Sequence, residues 1–179
     1  MSKQFKLHNM ESAPEGSRKT LEGVKLAFGM VPNLAAVMAE NPEVVNSYFA
    51  LSDAFGRSGL TPTEQQVVLL TVSYENRCNY CVAAHNTIAK MQKIDTGIIE
   101  ALKSSQPLKD SKIQVLRELA SAMVKERGWI SEEVREKFFG AGYNQSHLLA
   151  VILGVTQKTL SNYVNHIAET PIDEAFEGT

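Results

Sequence analysis

Thr61-Pro62-Thr63-Glu64 is the stretch that most limits what this chain can fold into. Thr61 can accept a backbone hydrogen bond as a helix cap, and Pro62 suits the first helical position. Glu64 closes a capping box back onto the cap. The run that follows includes VVLLTV (67–72), which is β-branched enough for a strand. With a capping box before it and no turn signal inside it, the run reads as a helix.

The rest of the chain repeats the theme. Helices are expected over 17–29, with Ser17 as cap and Gly29 as stop, and over 41–56, with Asn41 as cap and Pro42 behind it. Others follow over 61–76, from near Arg77 to about Lys93, and in a short segment capped by Asp95. Further helices start at Asp110 or Ser111 and at Ser131, and a long one runs from about Asn144 to Thr170, where Pro171 stops it. On that last helix, residues 148, 152, 155 and 159 are expected to form the packed face. The tail IDEAFEGT reads as loose. The fold class is all-α: one domain over 1–179, with its core over about 17–171 and seven to eight helices.

Composition narrows the function. With 179 residues and 44% hydrophobic content, the chain supports one domain with a real core. Charged residues make up 21%, the net charge is −2, and Lys and Arg are scattered, so no nucleic-acid surface is expected. The longest apolar run, 147–155, is too short to cross a bilayer. The first sixteen residues lack the apolar core of a signal peptide, and a cytoplasmic location is expected. Thiols stay reduced there, so a close cysteine pair points to catalysis or metal binding rather than to a structural disulfide.

Such a pair is present in RCNYCVAAH (77–85), and it contains both cysteines of the chain. On a helix, Cys78 and Cys81 are (i, i+3) neighbours, and Cys81 and His85 are (i, i+4) neighbours. All three groups then share one face near a helix start, whose unpaired N–H groups favour a thiolate. Arg77 can add positive charge. His85 is placed to take the proton of Cys81, and Cys78 to attack an oxidised Cys81. The set suits peroxide reduction through a sulfenic acid and then a disulfide. It equally suits thiol–disulfide exchange without peroxide, or a redox sensor that switches an oligomer interface. Two buried structural thiols, or a zinc site with Cys78, Cys81 and His85 as three ligands, remain open at this level.

Other residues carry less. His147, Asn162, Tyr163 and His166, on the last helix, can line a pocket over the cysteines or serve as caps and interface groups. Trp129 reads as a packing anchor, and His8 has no assigned role.

Residues 60–85, LTPTEQQVVLLTVSYENRCNYCVAAH, resemble the carboxymuconolactone decarboxylase superfamily, and most closely its alkyl hydroperoxidase D (AhpD-like) branch, through the helix followed by Cys-x-x-Cys-x-x-x-His. The last helix, TLSNYVNHIAETPID, resembles it more weakly. The resemblance implies an all-helical fold and a homotrimer or hexamer. It also implies peroxidase activity on a hydroperoxide, driven by a lipoylated or thioredoxin-like dithiol protein and needing no cofactor. It implies as well a proton-relaying glutamate twelve residues before the first cysteine. That position holds Gln66, which has no ionisable group. Glu75, three residues before Cys78, is either the replacement carboxylate or a solvated charge near a helix end.

Overall fold

A computed structural model describes residues 5–177. Nine α-helices and one short 3-10 turn make up the regular structure of the described residues, and no strand is among them. The helices are α1 Glu15–Phe28, α2 Asn33–Met38, α3 Pro42–Gly56, α4 Pro62–Glu75, α5 Asn79–Met91, α6 Thr96–Lys103, α7 Ser111–Lys125, α8 Glu132–Gly140 and α9 Gln145–Ala168; the turn is Glu174–Phe176.

The capping box forms as its sequence dictates. Thr61 Oγ1 accepts from the Glu64 backbone, and Glu64 Oε2 accepts from the Thr61 backbone at 2.8 Å. Helix α4 then runs through the middle of the molecule, in contact with α3, α5, α6, α7 and α9. Every residue from Gln66 to Ser73 is buried, so the VVLLTV run is apolar on all sides because it has no solvent side. Phe55, Val68, Leu116, Phe138 and Val151 fill the core on one side of it; Leu21, Val45, Tyr48, Tyr80 and both cysteines fill the core on the other.

A tight junction joins α4 to α5. Arg77 adopts the left-handed conformation (φ 56°), its N–H bonds to Tyr74, and the Cys78 N–H bonds to Ser73 at 2.9 Å. This is a Schellman stop built without glycine. Cys78 also caps α5, so only three residues separate the helices, and Cys81 falls in the first turn of α5.

Several expectations are corrected. The first helix begins at Glu15, and Ser17 is a buried residue whose hydroxyl donates to the Ala39 carbonyl rather than a cap. Asn33–Met38 forms a short extra helix in a segment where no helix is expected. The fifth helix starts at Asn79, two residues past the expected start near Arg77. The packed face of α9 is not the 148/152/155/159 stripe: Ile152 is exposed, and the buried residues are Ala150, Val151, Gly154, Gln157, Lys158, Ser161, Asn162 and Asn165. Ala150 and Val151 join the apolar core, and the polar part of that face, from Gln157 to Asn165, lies toward the cysteine helix. Gly154 sits where α9 crosses α3 and α4 closely. The tail is anchored over its described residues, 172–177: Asp173 accepts from Tyr80 Oη at 2.6 Å and from the Asn33 backbone, and Phe176 packs edge-on against Tyr80; residues 178–179 lie outside the described residues. His8 is buried, with Nε2 2.6 Å from Glu40 Oε2. Trp129 is 88% exposed rather than a packing anchor among the described residues.

Candidate active site

Both sulfurs are buried, and both thiols are free. Asn165, reaching from α9, places its amide nitrogen 3.2 Å from Cys81 Sγ and 3.8 Å from Cys78 Sγ. Ser161 Oγ lies 3.9 Å from Cys81 Sγ. To the helix start, which by itself favours a thiolate, the structure adds a donor, the Asn165 amide, from a helix about eighty residues away in sequence.

Lys158 supplies the charge. It is 1% exposed, and its ammonium interacts with Cys81, Tyr48 and Cys78. Arg77, the cation suggested by its place in the sequence, is exposed to solvent. The Cys81 thiol is held well below the ordinary thiol range, first by a hydrogen bond from Cys78 and then by Lys158 and Asn165, which together overcome the opposing effect of burial. Cys78 is pushed up, because it donates that hydrogen bond, is buried, and faces the Cys81 charge. One thiolate is therefore shared unequally by the pair and rests on Cys81.

His85, one turn after Cys81, is buried and neutral: burial, and then the charge of Lys158, drive its pKa well below the ordinary histidine value. Its Nδ1 lies 3.1 Å from Gln66 Oε1, while Gln66 Nε2 donates to Gln92 Oε1 at 3.1 Å. That chain makes His85 Nδ1 the donor and leaves Nε2 as a lone pair.

A cavity of about 300 Å³ opens over this cluster. Cys81, His85, Gln66, Gln157 and Lys158 form its polar end, whereas Cys78 does not line it. Phe28, Leu34, Phe49, Phe55, Ile88 and Phe176 give the remainder an apolar, aromatic wall. Gln157 Oε1 is buried there without a hydrogen-bond partner.

The structure thus brings Cys78, Cys81, His85 and Gln66 together, and not Glu75. The Glu75 carboxylate accepts from Ser121 Oγ at 2.6 Å and pairs with Lys125 Nζ at 3.0 Å, tying α4 to α7. Asn162 is buried and accepts from Asn76 Nδ2, whereas Tyr163 and His166 on the same helix face outward. His147 closes a capping box at the start of α9. Glu64 is held at its cap by Thr61 and Tyr143. Among the described residues no cluster of three His, Cys, Asp or Glu side chains is placed to hold a metal, and no helix is long and apolar enough to cross a membrane.

Residues 42–107 match the model of the Carboxymuconolactone decarboxylase family. The chain superposes on an AhpD-core, peroxidase-related protein from Ralstonia eutropha JMP134: TM-score 0.85, 20% identity, 97% of this chain and 93% of that one. Residues 42–107 thus resemble the carboxymuconolactone decarboxylase family, and the chain as a whole has an AhpD-like fold. A peroxidase-related protein from Silicibacter sp. TM1040 is similar over 100% of this AhpD-like chain and 98% of its own (TM-score 0.82, 24% identity). So is a single-residue variant of the debrominase Bmp8, solved in complex with 2,3,4-tribromopyrrole, over 98% and 95% (TM-score 0.84, 14% identity). No curated protein matches the chain.

Proposed function

We propose that this AhpD-like protein is a thiol-dependent hydroperoxide reductase in which Cys81 attacks, Cys78 resolves and His85 moves the proton. The observation that carries this reading is the asymmetry of the pair. Cys81 lines the cavity and holds the thiolate, while Cys78 sits behind it as hydrogen-bond donor.

The Cys81 thiolate attacks the terminal oxygen of R–O–O–H. An S–O bond forms as the O–O bond breaks, giving a sulfenic acid and an alkoxide that is protonated to ROH. The Cys78 thiol then attacks Cys81 Sγ, an S–S bond forms, and the hydroxyl departs with the Cys78 proton as water. A dithiol protein, lipoylated or thioredoxin-like, restores the pair by exchange and is itself oxidised to a disulfide. His85 Nε2, unprotonated in the resting state, receives the Cys81 proton when the thiolate forms. Gln66 takes the place of the family glutamate as a tautomer-fixing partner, with no proton to relay. The wall of aromatic and aliphatic side chains favours an organic hydroperoxide over hydrogen peroxide.

We also propose a cytoplasmic homo-oligomer, a trimer or hexamer. The outer face of α9 exposes Leu149, Ile152, Tyr163 and Ile167, a stripe at helical spacing that a second copy can cover. Light scattering at micromolar concentration checks this, and a monomer alone contradicts it.

Steady-state turnover of an organic hydroperoxide with a dithiol donor tests the main reading, with Cys81→Ser and Cys78→Ser as controls. Repeated turnover supports a reductase. One equivalent of oxidation and then arrest supports a redox sensor, and disulfide reduction without peroxide consumption supports a thiol–disulfide oxidoreductase. The apolar cavity beside a thiolate also suits a halogenated ring, so 2,3,4-tribromopyrrole belongs in the same assay.

A further inference from the structure

A buried lysine is costly unless it faces an anion. Lys158 is 1% exposed on the buried face of α9, at the polar end of the cavity. Among the described residues no carboxylate lies within 4.0 Å of its ammonium. The titratable groups that face it are Cys81, Cys78 and His85 of α5 and Tyr48 of α3. Only a cysteine among these is an anion near neutral pH, and Cys81 is the one it meets in the cavity. The position therefore makes sense for a charged lysine only while Cys81 is a thiolate.

His85 cannot hold that charge itself. An imidazolium would lie beside Lys158, and the partner of Nδ1 is the uncharged Gln66 amide in place of a carboxylate. A proton taken from Cys81 by His85 has to leave for solvent, and the negative sulfur needs another cation.

We infer that Lys158 is a catalytic residue of this site, the ammonium that holds Cys81 as a thiolate and then protonates the oxygen that leaves when the O–O bond breaks. This role rests on the reading of Cys81 as the attacking thiol. Before the reaction the site holds an ammonium, a thiolate and the Cys78 thiol. Attack on R–O–O–H forms the S–O bond, and the alkoxide takes a proton from Lys158, leaving ROH, a sulfenic acid and a neutral amine. Attack by Cys78 releases water and leaves a disulfide beside that amine, so no unpaired charge is buried in the oxidised state. When a dithiol donor reduces the disulfide, its two protons return to Cys78 and to Lys158. Burial pulls the lysine down, but its interactions with Cys81, Tyr48 and Cys78 outweigh burial and raise it in the reduced state, as this cycle requires.

The test uses the full reduced chain and variants Lys158→Met, Lys158→Gln and Lys158→Arg, with helicity by circular dichroism as the check on folding. Both neutral variants remove a buried charge and fit the volume; either one suffices. Iodoacetamide alkylation of Cys81, followed by peptide mass spectrometry across pH, reads the thiolate without any peroxide. The expected result is a midpoint at least about one pH unit higher in the neutral variants, hence alkylation up to about tenfold slower at pH values below both midpoints, with Arg restoring the low midpoint. Single-turnover oxidation by cumene hydroperoxide, above the variant's own midpoint, should still be at least about tenfold slow without the lysine. An unchanged alkylation midpoint in a folded neutral variant overturns the counter-ion role, and a fully restored oxidation rate at high pH overturns the proton-donor role. If the unsubstituted protein reduces no hydroperoxide yet shows the midpoint shift, the peroxidase reading fails and the counter-ion assignment stands.

Discussion

Asn165 Nδ2 stands 3.2 Å from Cys81 Sγ, and the same nitrogen is 3.8 Å from Cys78 Sγ. One amide from α9 thus bridges the two sulfurs, and it is closer to the one that faces the cavity. A hydrogen bond to a charged sulfur is worth about 1.5–3 kcal/mol. Asn165→Ala should therefore raise the Cys81 alkylation midpoint by about one unit, with a smaller effect on Cys78. Equal effects on both thiols would remove Asn165 from the account of their asymmetry.

Gln66 sets the histidine tautomer, so its replacements should separate orientation from proton relay. Gln66→Leu leaves the His85 Nδ1–H unpaired in a buried place and should lower stability by about 1–3 kcal/mol in urea unfolding. Gln66→Glu puts a carboxylate behind the imidazole, raises its basicity and should speed peroxide turnover at pH 7. Slower turnover in the folded Glu variant would mean that a neutral His85 is required throughout.

Acid should destabilise the reduced protein in a defined window. His85 is depressed well below its ordinary value in the fold, so as pH falls below about 6.5 the unfolded chain takes up a proton that the folded chain refuses. Cys81 is also depressed, so the stability it contributes is complete above the ordinary thiol pKa and is lost as pH falls toward its folded value. Each group contributes a slope of up to about 1.4 kcal/mol per pH unit, and both weaken the fold as pH drops. His85→Gln should flatten the loss of unfolding free energy between about pH 6.5 and 5. An unchanged slope in that variant would place the acid-sensitive group elsewhere.

Packing at the α9 crossing should be unforgiving. A Cβ at Gly154 would lie 2.7 Å from Phe55 Cε2 and 3.0 Å from Val68 Cγ1. Gly154→Ala gains about 1 kcal/mol of helix propensity but crowds a closed core, and a net loss of about 1–2 kcal/mol is expected by urea unfolding. A stabilised variant would show that α9 can shift without resistance.

Much of this structure is legible locally. Thr61 to Glu64 specify their helix by short-range hydrogen bonds, and the spacing of Cys78, Cys81 and His85 is a property of any helix. What is not legible comes from contacts distant in sequence. Lys158, Ser161 and Asn165 belong to the site because α9 packs on α5, which no local pattern states. Apolar spacing along α9 points to 148, 152, 155 and 159, whereas the buried stripe is Gly154, Gln157, Lys158, Ser161, Asn162 and Asn165. An unbroken polar and small stripe at helical spacing, inside an otherwise apolar helix, is the signal that marks the true face. Glu75 looks close to Cys78 along the chain, but the left-handed turn at Arg77 sends it to the α7 side. The tail looks loose because its anchor, Asp173 on Tyr80, spans 93 residues.

The central claim is that the two thiols have different tasks, with Cys81 attacking and Cys78 resolving. Dimedone trapping, followed by peptide mass spectrometry after one equivalent of cumene hydroperoxide, reads this directly. Cys78→Ser should accumulate the adduct on Cys81, and Cys81→Ser should leave Cys78 unlabelled. Adduct on Cys78 in the Cys81→Ser protein, with none on Cys81 in the Cys78→Ser protein, would contradict the account.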